Sequence, residues 1–275
     1  MIPTLEDRCR DIRCDILHAI GHLGVGHLGG CLSAVELLSV LYFEIMKIDP
    51  SDPAMPGRDR FICSKGHAGP AVYAALAERG YFPKEKLLSL NQGGTDLPSH
   101  CDMNRTPGVD MTTGSLGQGF SCAVGAALAS RLEADGATIY SLIGDGETQE
   151  GQIWEAAMFA AAKKLDNLIA FTDYNGLQVD DTVAKVNDIA PLRDKWAAFG
   201  WNVLEVAEGN NAQAVLEAVR KAQTNRGSGR PTMVILHTRK GCGVRQIEEM
   251  GAANHNCPFS EEQAEAAIRE IRGEA

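Results

Sequence analysis

Short apolar runs alternate with segments of helical spacing along most of the chain. The runs at 138–143, 168–173, 201–206 and 232–237 read as strands. Between them, apolar side chains recur at helical spacing over 151–164, 191–199 and 211–224. Upstream, the same periodicity predicts helices over 5–24, 33–47, about 70–80 and 118–134, and the run Arg60-Phe61-Ile62-Cys63 predicts a buried strand. The 118–134 helix is rich in small residues and can pack closely against a sheet or another subunit. Gly26-His27-Leu28-Gly29-Gly30 reads as a loop, with Ser33 positioned to cap the helix after it. A tail helix starts at Ser260, with Glu261 and Glu262 in its first turn. This alternation predicts an α/β fold: an open parallel sheet with helices on both faces. The whole chain, 1–275, reads as one such domain with an N-terminal helical extension and a short C-terminal helical tail.

Composition narrows the partners. A net charge of −10 argues against nucleic acid, whose phosphates attract basic surfaces. No apolar run approaches the ~20 residues needed to span a bilayer, and the charged N-terminus MIPTLEDRCRDIRCD does not resemble a signal peptide. The eight cysteines form no CxxC pair, so reduced, mostly buried thiols in a cytoplasmic protein are expected, rather than a zinc site or a disulfide framework.

Candidate chemistry concentrates where apolar runs stop. The run ending at Ile143 stops at Gly144-Asp145-Gly146, and the run ending at Phe171 leads into Asp173-Tyr174-Asn175-Gly176-Leu177. Two strand ends thus present an oxygen ligand each, Asp145 and Asn175, with a backbone carbonyl nearby. That set suits Mg2+, with Ca2+ or Mn2+ as substitutes, and the glycines let a phosphate approach the backbone, aided by the N-terminus of the 151–164 helix. Residues 83–116 form a long segment rich in Gly, Pro, Ser, Thr and Asn, a length usually kept for function. His27, His67 and His100 each sit in a loop of this kind, where imidazole can serve in either protonation state near neutrality. His18 and His22, four apart on a helix, read as surface or interface residues, and His237 as structural.

Five ordered segments carry a resemblance: GHLGG (26–30), SKGHA (64–68), TTGSLGQG (112–119), GDGETQEGQIWEA (144–156) and NGLQVD (175–180). Together they resemble transketolase, specifically the N-terminal, thiamine-diphosphate-binding subunit of split transketolases, and the similarity runs nearly end to end. The resemblance implies a diphosphate-binding α/β domain, with thiamine diphosphate and Mg2+ as cofactors. It implies that Asp145, Asn175 and the Leu177 carbonyl bind the metal, within a cofactor loop of Gly144, Asp145 and Gly146. Gly114, Ser115 and Leu116 would lie against the cofactor near its aminopyrimidine. Glu150 and Glu155 match two family glutamates; Glu150 would join a network linking two cofactor sites, and Glu155 would bind cofactor. His27, His67 and His100 would line the substrate channel, bind donor hydroxyls and assist proton transfer, with His67 also touching cofactor. His255 corresponds to a histidine close to the diphosphate.

Several positions depart from the family pattern. Leu28 replaces the proline of GHPGG, proline is missing after His100 in Ser99-His100-Cys101-Asp102, and His255 sits in NHNCP rather than WHGKAP. Tyr174 and Asp181 are also atypical. The changes around His100 put standard sugar-phosphate specificity in question.

The family's aminopyrimidine is activated by a glutamate from a second domain, whereas only about thirty residues follow position 243 here, against ~100 for a domain. The resemblance therefore implies a separate C-terminal subunit bearing the pyrimidine-binding domain, in an α2β2 assembly with self-association through the diphosphate-binding domain. The implied reaction moves a two-carbon ketol unit from a ketose or ketose phosphate to an aldose or aldose phosphate. Alternatives are a transketolase for an unusual sugar, a carboligase like deoxyxylulose-phosphate synthase, and a non-catalytic cofactor-binding subunit.

Overall fold

The computed structural model of the chain describes residues 3–274. Seven strands form among them: β1 (Val25–Gly26), β2 (Arg60–Cys63), β3 (Ile139–Gly144), β4 (Leu168–Tyr174), β5 (Asn202–Val206), β6 (Thr232–His237) and β7 (Cys257–Pro258). Five of them make one sheet in the order β2-β3-β4-β6-β5, with every neighbouring pair parallel. The two shortest, β1 and β7, pair antiparallel apart from it.

The helices are α1 (Leu5–Leu23), α2 (Leu28–Leu32), α3 (Val35–Val40), α4 (Gly69–Arg79), α5 (Gln118–Glu133), α6 (Gly151–Ala162), α7 (Val183–Asn187), α8 (Leu192–Ala198), α9 (Ala212–Gln223), α10 (Arg245–Glu248) and α11 (Glu261–Arg272). Side chains on a strand alternate between faces, and here that period divides the interior into two cores. Tyr140, Leu142, Ile169, Phe171, Val234 and Leu236 join one core with residues of α1, α3, α4, α9 and α11. Ile139, Ile143, Leu168, Ala170, Met233 and Ile235 join the other with residues of α5, α6 and α8. An open parallel sheet covered on both faces, as the alternation of elements predicts, follows directly.

Local signals fix the ends of the chain. Thr4 and Asp7 form a reciprocal capping box at the start of α1, and Ser260 and Gln263 do the same for α11. These two helices pack against each other, with Ala264 seated over Gly21. Two local expectations are corrected. Residues 26–30 are not a plain loop, because Val25 and Gly26 pair with β7 and α2 begins at Leu28. Ser33 does not cap the following helix, whose N-cap is Ala34. Its hydroxyl donates to Asp173 Oδ2 at 2.7 Å, because a fully buried carboxylate competes for any donor in reach. No helix among the described residues is long and apolar enough to cross a membrane.

Candidate active site

The carboxyl ends of β2, β3 and β4 converge with α2, the 112–117 segment and the 240–255 segment around a cavity of about 330 Å3. Asp145 lines it, directly after β3. Its carboxylate is 2% exposed and accepts from Gly146 N at 2.8 Å and Gly176 N at 2.6 Å. Burial, then the nearby Asp173 carboxylate, pushes this carboxyl up to about 7. A buried carboxylate bonded only to backbone N–H groups suits a cation. Asn175 stands on the neighbouring strand end, its Oδ1 accepting from Leu177 N at 3.1 Å and its Nδ2 donating to Asp173 Oδ2 at 3.1 Å. Among the described residues no three His, Cys, Asp or Glu side chains gather as a metal site. A cation here would need the mixed set of one carboxylate, one amide oxygen and one carbonyl, which is typical of Mg2+ held with water and phosphate oxygens.

A 3-10 turn, Gly146–Gln149, separates Asp145 from α6. The backbone beside Asp145 therefore belongs to that turn, with the N-terminus of α6 beginning at Gly151.

The same cavity is lined by His27, His67, His100 and His255. The ring centroids of His27 lie 5.5 Å from His67, 5.6 Å from His100 and 5.3 Å from His255, and those of His67 and His255 are 5.0 Å apart. Burial is the main cause holding all four below the ordinary imidazole value, with His27 and His255 brought to about 4. The rings are neutral at neutral pH and can each donate and accept one hydrogen bond.

Two glycines keep the space around the histidines open. A Cβ at Gly30 would lie 3.1 Å from His67 Nε2, and Gly114, at φ +150°, would bring a Cβ within 3.2 Å of His100 Cδ2. The long 83–116 segment is tied down around His100, whose carbonyl accepts from Tyr73 Oη at 2.9 Å. Thr113 Oγ1 donates to Cys63 O at 2.8 Å.

A stability consequence follows from the histidines. Folded-state values below the unfolded one mean a contribution fully present above about 6.5, lost as pH falls toward the value of about 4 that His27 and His255 reach. The difference in melting temperature between wild type and His255→Gln should therefore shift in favour of the variant between pH 7.5 and 5. An unchanged difference by circular dichroism would contradict neutral burial of the ring.

Of the residues named from sequence, His27, His67, His100, Gly114, Leu116, Gly144, Asp145, Gly146, Glu150, Asn175, Leu177 and His255 all line this cavity. Ser115 and Glu155 do not; both are exposed, Ser115 on the loop before α5 and Glu155 on the outer side of α6. Pattern reading misses several residues. Lys65, 1% exposed, bonds Asp173 and donates to Gly30 O at 2.9 Å. Asp173, equally buried, also accepts from Ser33, Thr238 and Asn175. Its carboxyl stays below the usual range although burial, the largest influence, pushes it up; the Lys65 ammonium and three further donors outweigh that cost. Buried Glu147 gathers Ser64 Oγ, Gly117 N and Gly144 N, tying β2, the 112–117 segment and β3 together. Lys240 lines the cavity 3.3 Å from His255 Nδ1, and burial lowers it to about 8. The sequence signals available were a lysine closing an apolar strand and an aspartate inside the FTDY run.

The chain is similar to several known proteins over nearly its whole length. Residues 6–273 match the family model described as transketolase, thiamine diphosphate binding domain. The chain is 54% identical to the 6-deoxy-6-sulfo-D-fructose transketolase subunit SqwG of Clostridium sp. (strain MSTE9), covering 98% of this chain and 97% of that one. It is 41% identical to one of the subunits of apulose-4-phosphate transketolase from Actinobacillus succinogenes, covering 98% and 96%. Among solved structures, transketolase from Leishmania mexicana superposes with a TM-score of 0.92 at 30% identity, over 99% of this chain and 42% of that chain.

Proposed function

The chain belongs to the transketolase family through its thiamine-diphosphate-binding domain, and from that membership we propose that it is the cofactor-binding N-terminal subunit of a two-component transketolase. One observation carries the reading: Asp145 and Asn175, on neighbouring strand ends, line the same cavity as a cluster of four histidines. Thiamine diphosphate, when bound, supplies the electron sink that lets a ketose break between C2 and C3. Asp145, the Asn175 amide oxygen and the Leu177 carbonyl would hold Mg2+, and with it the diphosphate. Asp173 fixes the orientation of Asn175, since the amide nitrogen is committed to Asp173 and the oxygen is turned the other way. Lys240 adds a cation facing the anionic cofactor tail. Gly114 and Leu116 leave backbone groups toward the aminopyrimidine. His27, His67 and His100 hold the hydroxyls of the sugar, and as neutral imidazoles they take or return protons as the carbonyl and hydroxyl exchange roles, while His67 and His255 would also lie against the cofactor.

The substrate class we propose is a ketose whose far end carries a tetrahedral oxyanion, a sulfonate or a phosphate. Its support is the similarity to the sulfofructose and apulose-4-phosphate subunits. Both of those relatives are named as subunits, which supports a separately encoded partner bearing the pyrimidine-binding domain. An α2β2 assembly is consistent with Leu132 on α5 and with Met158 and Phe159 on α6, which stay exposed on helices apolar enough to meet another subunit. Exposed Glu150, at the N-cap of α6, would then reach the network joining two sites. Eight free thiols support a cytoplasmic setting.

The test is release of an aldose from 6-deoxy-6-sulfo-D-fructose or fructose 6-phosphate, with an aldehyde acceptor, thiamine diphosphate and Mg2+. Turnover is expected only when this chain is mixed with the partner subunit. Comparable turnover by this chain alone, or none from a cofactor-loaded mixture, would overturn the proposal.

A further inference from the structure

We propose that Glu147 is a positioning residue for the aromatic head of the cofactor, acting through the 112–117 segment, which it and Ser64 fasten as a helix cap built from distant parts of the chain. The inference deepens the thiamine-diphosphate reading and rests on it. Gly117 is the N-cap of α5, its carbonyl accepting from Ser121 N at 3.2 Å, but a glycine has no side chain to cap with. In a local capping box, the N-cap side chain takes the N–H three residues on, and the side chain there returns a bond to the N-cap N–H. Here the same two donors are met from elsewhere. Ser64 Oγ accepts from Phe120 N at 2.9 Å, and Glu147 Oε1 accepts from Gly117 N at 2.9 Å. Ser64, just after β2, then donates its own hydroxyl proton to that Glu147 oxygen. Ser64 is fully buried and Glu147 is 2% exposed.

Three features make this cap a device for placing the segment as well as starting a helix. First, Gly114 and Leu116 line the larger cavity, and the amide that Glu147 holds follows Leu116 directly. Second, the segment lies against the end of β2 with no slack. A Cβ at Gly66 would come within 2.7 Å of Gly114 N, and one at Gly119 within 2.8 Å of Ser64 Cα, so a shift of the cap is felt at the cavity wall. Third, the other carboxylate oxygen, Glu147 Oε2, accepts from Gly144 N at 3.0 Å, beside Asp145. One side chain thus spans the segment that faces the cofactor's head and the strand end assigned to its tail. Its two oxygens have separate duties: Oε1 serves the segment and Oε2 the strand. A carboxylate can accept on both, whereas an amide has one oxygen and must oppose a donor with its nitrogen.

The test uses the complex with the partner subunit in Mg2+. Calorimetric titration of thiamine diphosphate and the melting temperature are read for each variant. Glu147→Ala removes both oxygens and is expected to weaken cofactor binding about tenfold or more, as for loss of hydrogen bonds to a charged group. Glu147→Gln should restore most of that affinity, with its amide oxygen turned to Ser64 and Gly117. Its amide nitrogen then opposes Gly144 N–H, so the melting temperature should stay below that of wild type. Ser64→Ala leaves the Gly144 bond intact and should weaken the cofactor about tenfold; it carries the comparison if Glu147→Ala does not fold. Affinity that simply follows melting temperature through the variants, or that is unchanged in Ser64→Ala, overturns the proposal and leaves Glu147 a residue of the fold alone. No binding of thiamine diphosphate by the wild-type complex overturns the cofactor reading instead. The cap is then judged by hydrogen exchange of the 112–120 amides, followed by mass spectrometry. Exchange about tenfold faster in Ser64→Ala supports the cap, as for loss of about one hydrogen bond; equal exchange overturns it.

Discussion

Replacing Lys65 with methionine should destabilise the fold by about 3–5 kcal/mol, the usual cost of leaving one partner of a buried ion pair alone. Lys65 and Asp173 are each 1% exposed, and Asp173 also draws Ser33, Thr238 and Asn175 onto its two oxygens. The remaining hydroxyl and amide donors cannot neutralise the carboxylate that Lys65→Met would strand. Replacing both partners, as Lys65→Met with Asp173→Leu, should recover most of the stability, because the desolvation of both charges disappears with them. It should not recover Mg2+-dependent binding of thiamine diphosphate, because Asn175 Nδ2 has then lost its anchor and the amide is free to turn. Urea unfolding followed by circular dichroism reads the first effect, and a cofactor titration with and without Mg2+ reads the second. A double variant that binds cofactor as tightly as wild type would show that the pair serves the fold alone.

The second large effect is expected at Asp145. Asp145→Asn in the assembled enzyme should lower kcat/KM by about 1000-fold, since the metal would lose its only charged protein ligand and metal ions contribute several kcal/mol to such reactions. Stability responds differently. An amide can accept only one of the two backbone bonds now made by Gly146 and Gly176, a loss of about 1 kcal/mol that does not depend on pH. Against it stands the carboxyl raised to about 7. A raised folded-state value means a contribution fully present below the ordinary aspartate range and lost as pH rises through about 7. Without metal, the variant should therefore gain on wild type as pH climbs from about 4 to above 7. Melting curves of the metal-free proteins across that window check the sign; a gap that does not move would mean that Asp145 is not held in a costly charged state.

Much of this site is legible in the chain because its parts sit where a local pattern changes. Asp145 and Asn175 each follow an apolar run, and His27, His67 and His100 each sit among small or turn-forming residues. The five sheet strands declare themselves because each is a short apolar run, largely buried except for β5 at the sheet edge, with helices of clear spacing between them. The residues that tie those pieces together do not announce themselves. Lys65 and Asp173 belong to different strand ends, and Glu147 serves three segments at once. Such contacts depend on the order in which strands lie in the sheet, which periodicity does not encode. Ser33 illustrates the same point, since its local position suits a cap but its hydroxyl goes to a carboxylate 140 positions away. Ser115 and Glu155 show the converse: motif membership names them, yet the backbone of one loop and the outer side of α6 turn them away from the cavity.

The central claim is that the strand ends at Asp145 and Asn175 hold the cofactor's diphosphate through a hard cation. Crystals grown with thiamine diphosphate and Ca2+, the heavier substitute for Mg2+, test it through the anomalous signal of the metal. A single strong peak is expected, bonded at about 2.3–2.6 Å to an Asp145 carboxylate oxygen, the Asn175 amide oxygen and the Leu177 carbonyl, with diphosphate oxygens completing the shell. Ordered cofactor with no metal at these three oxygens, or metal bound elsewhere in the cavity, would contradict it.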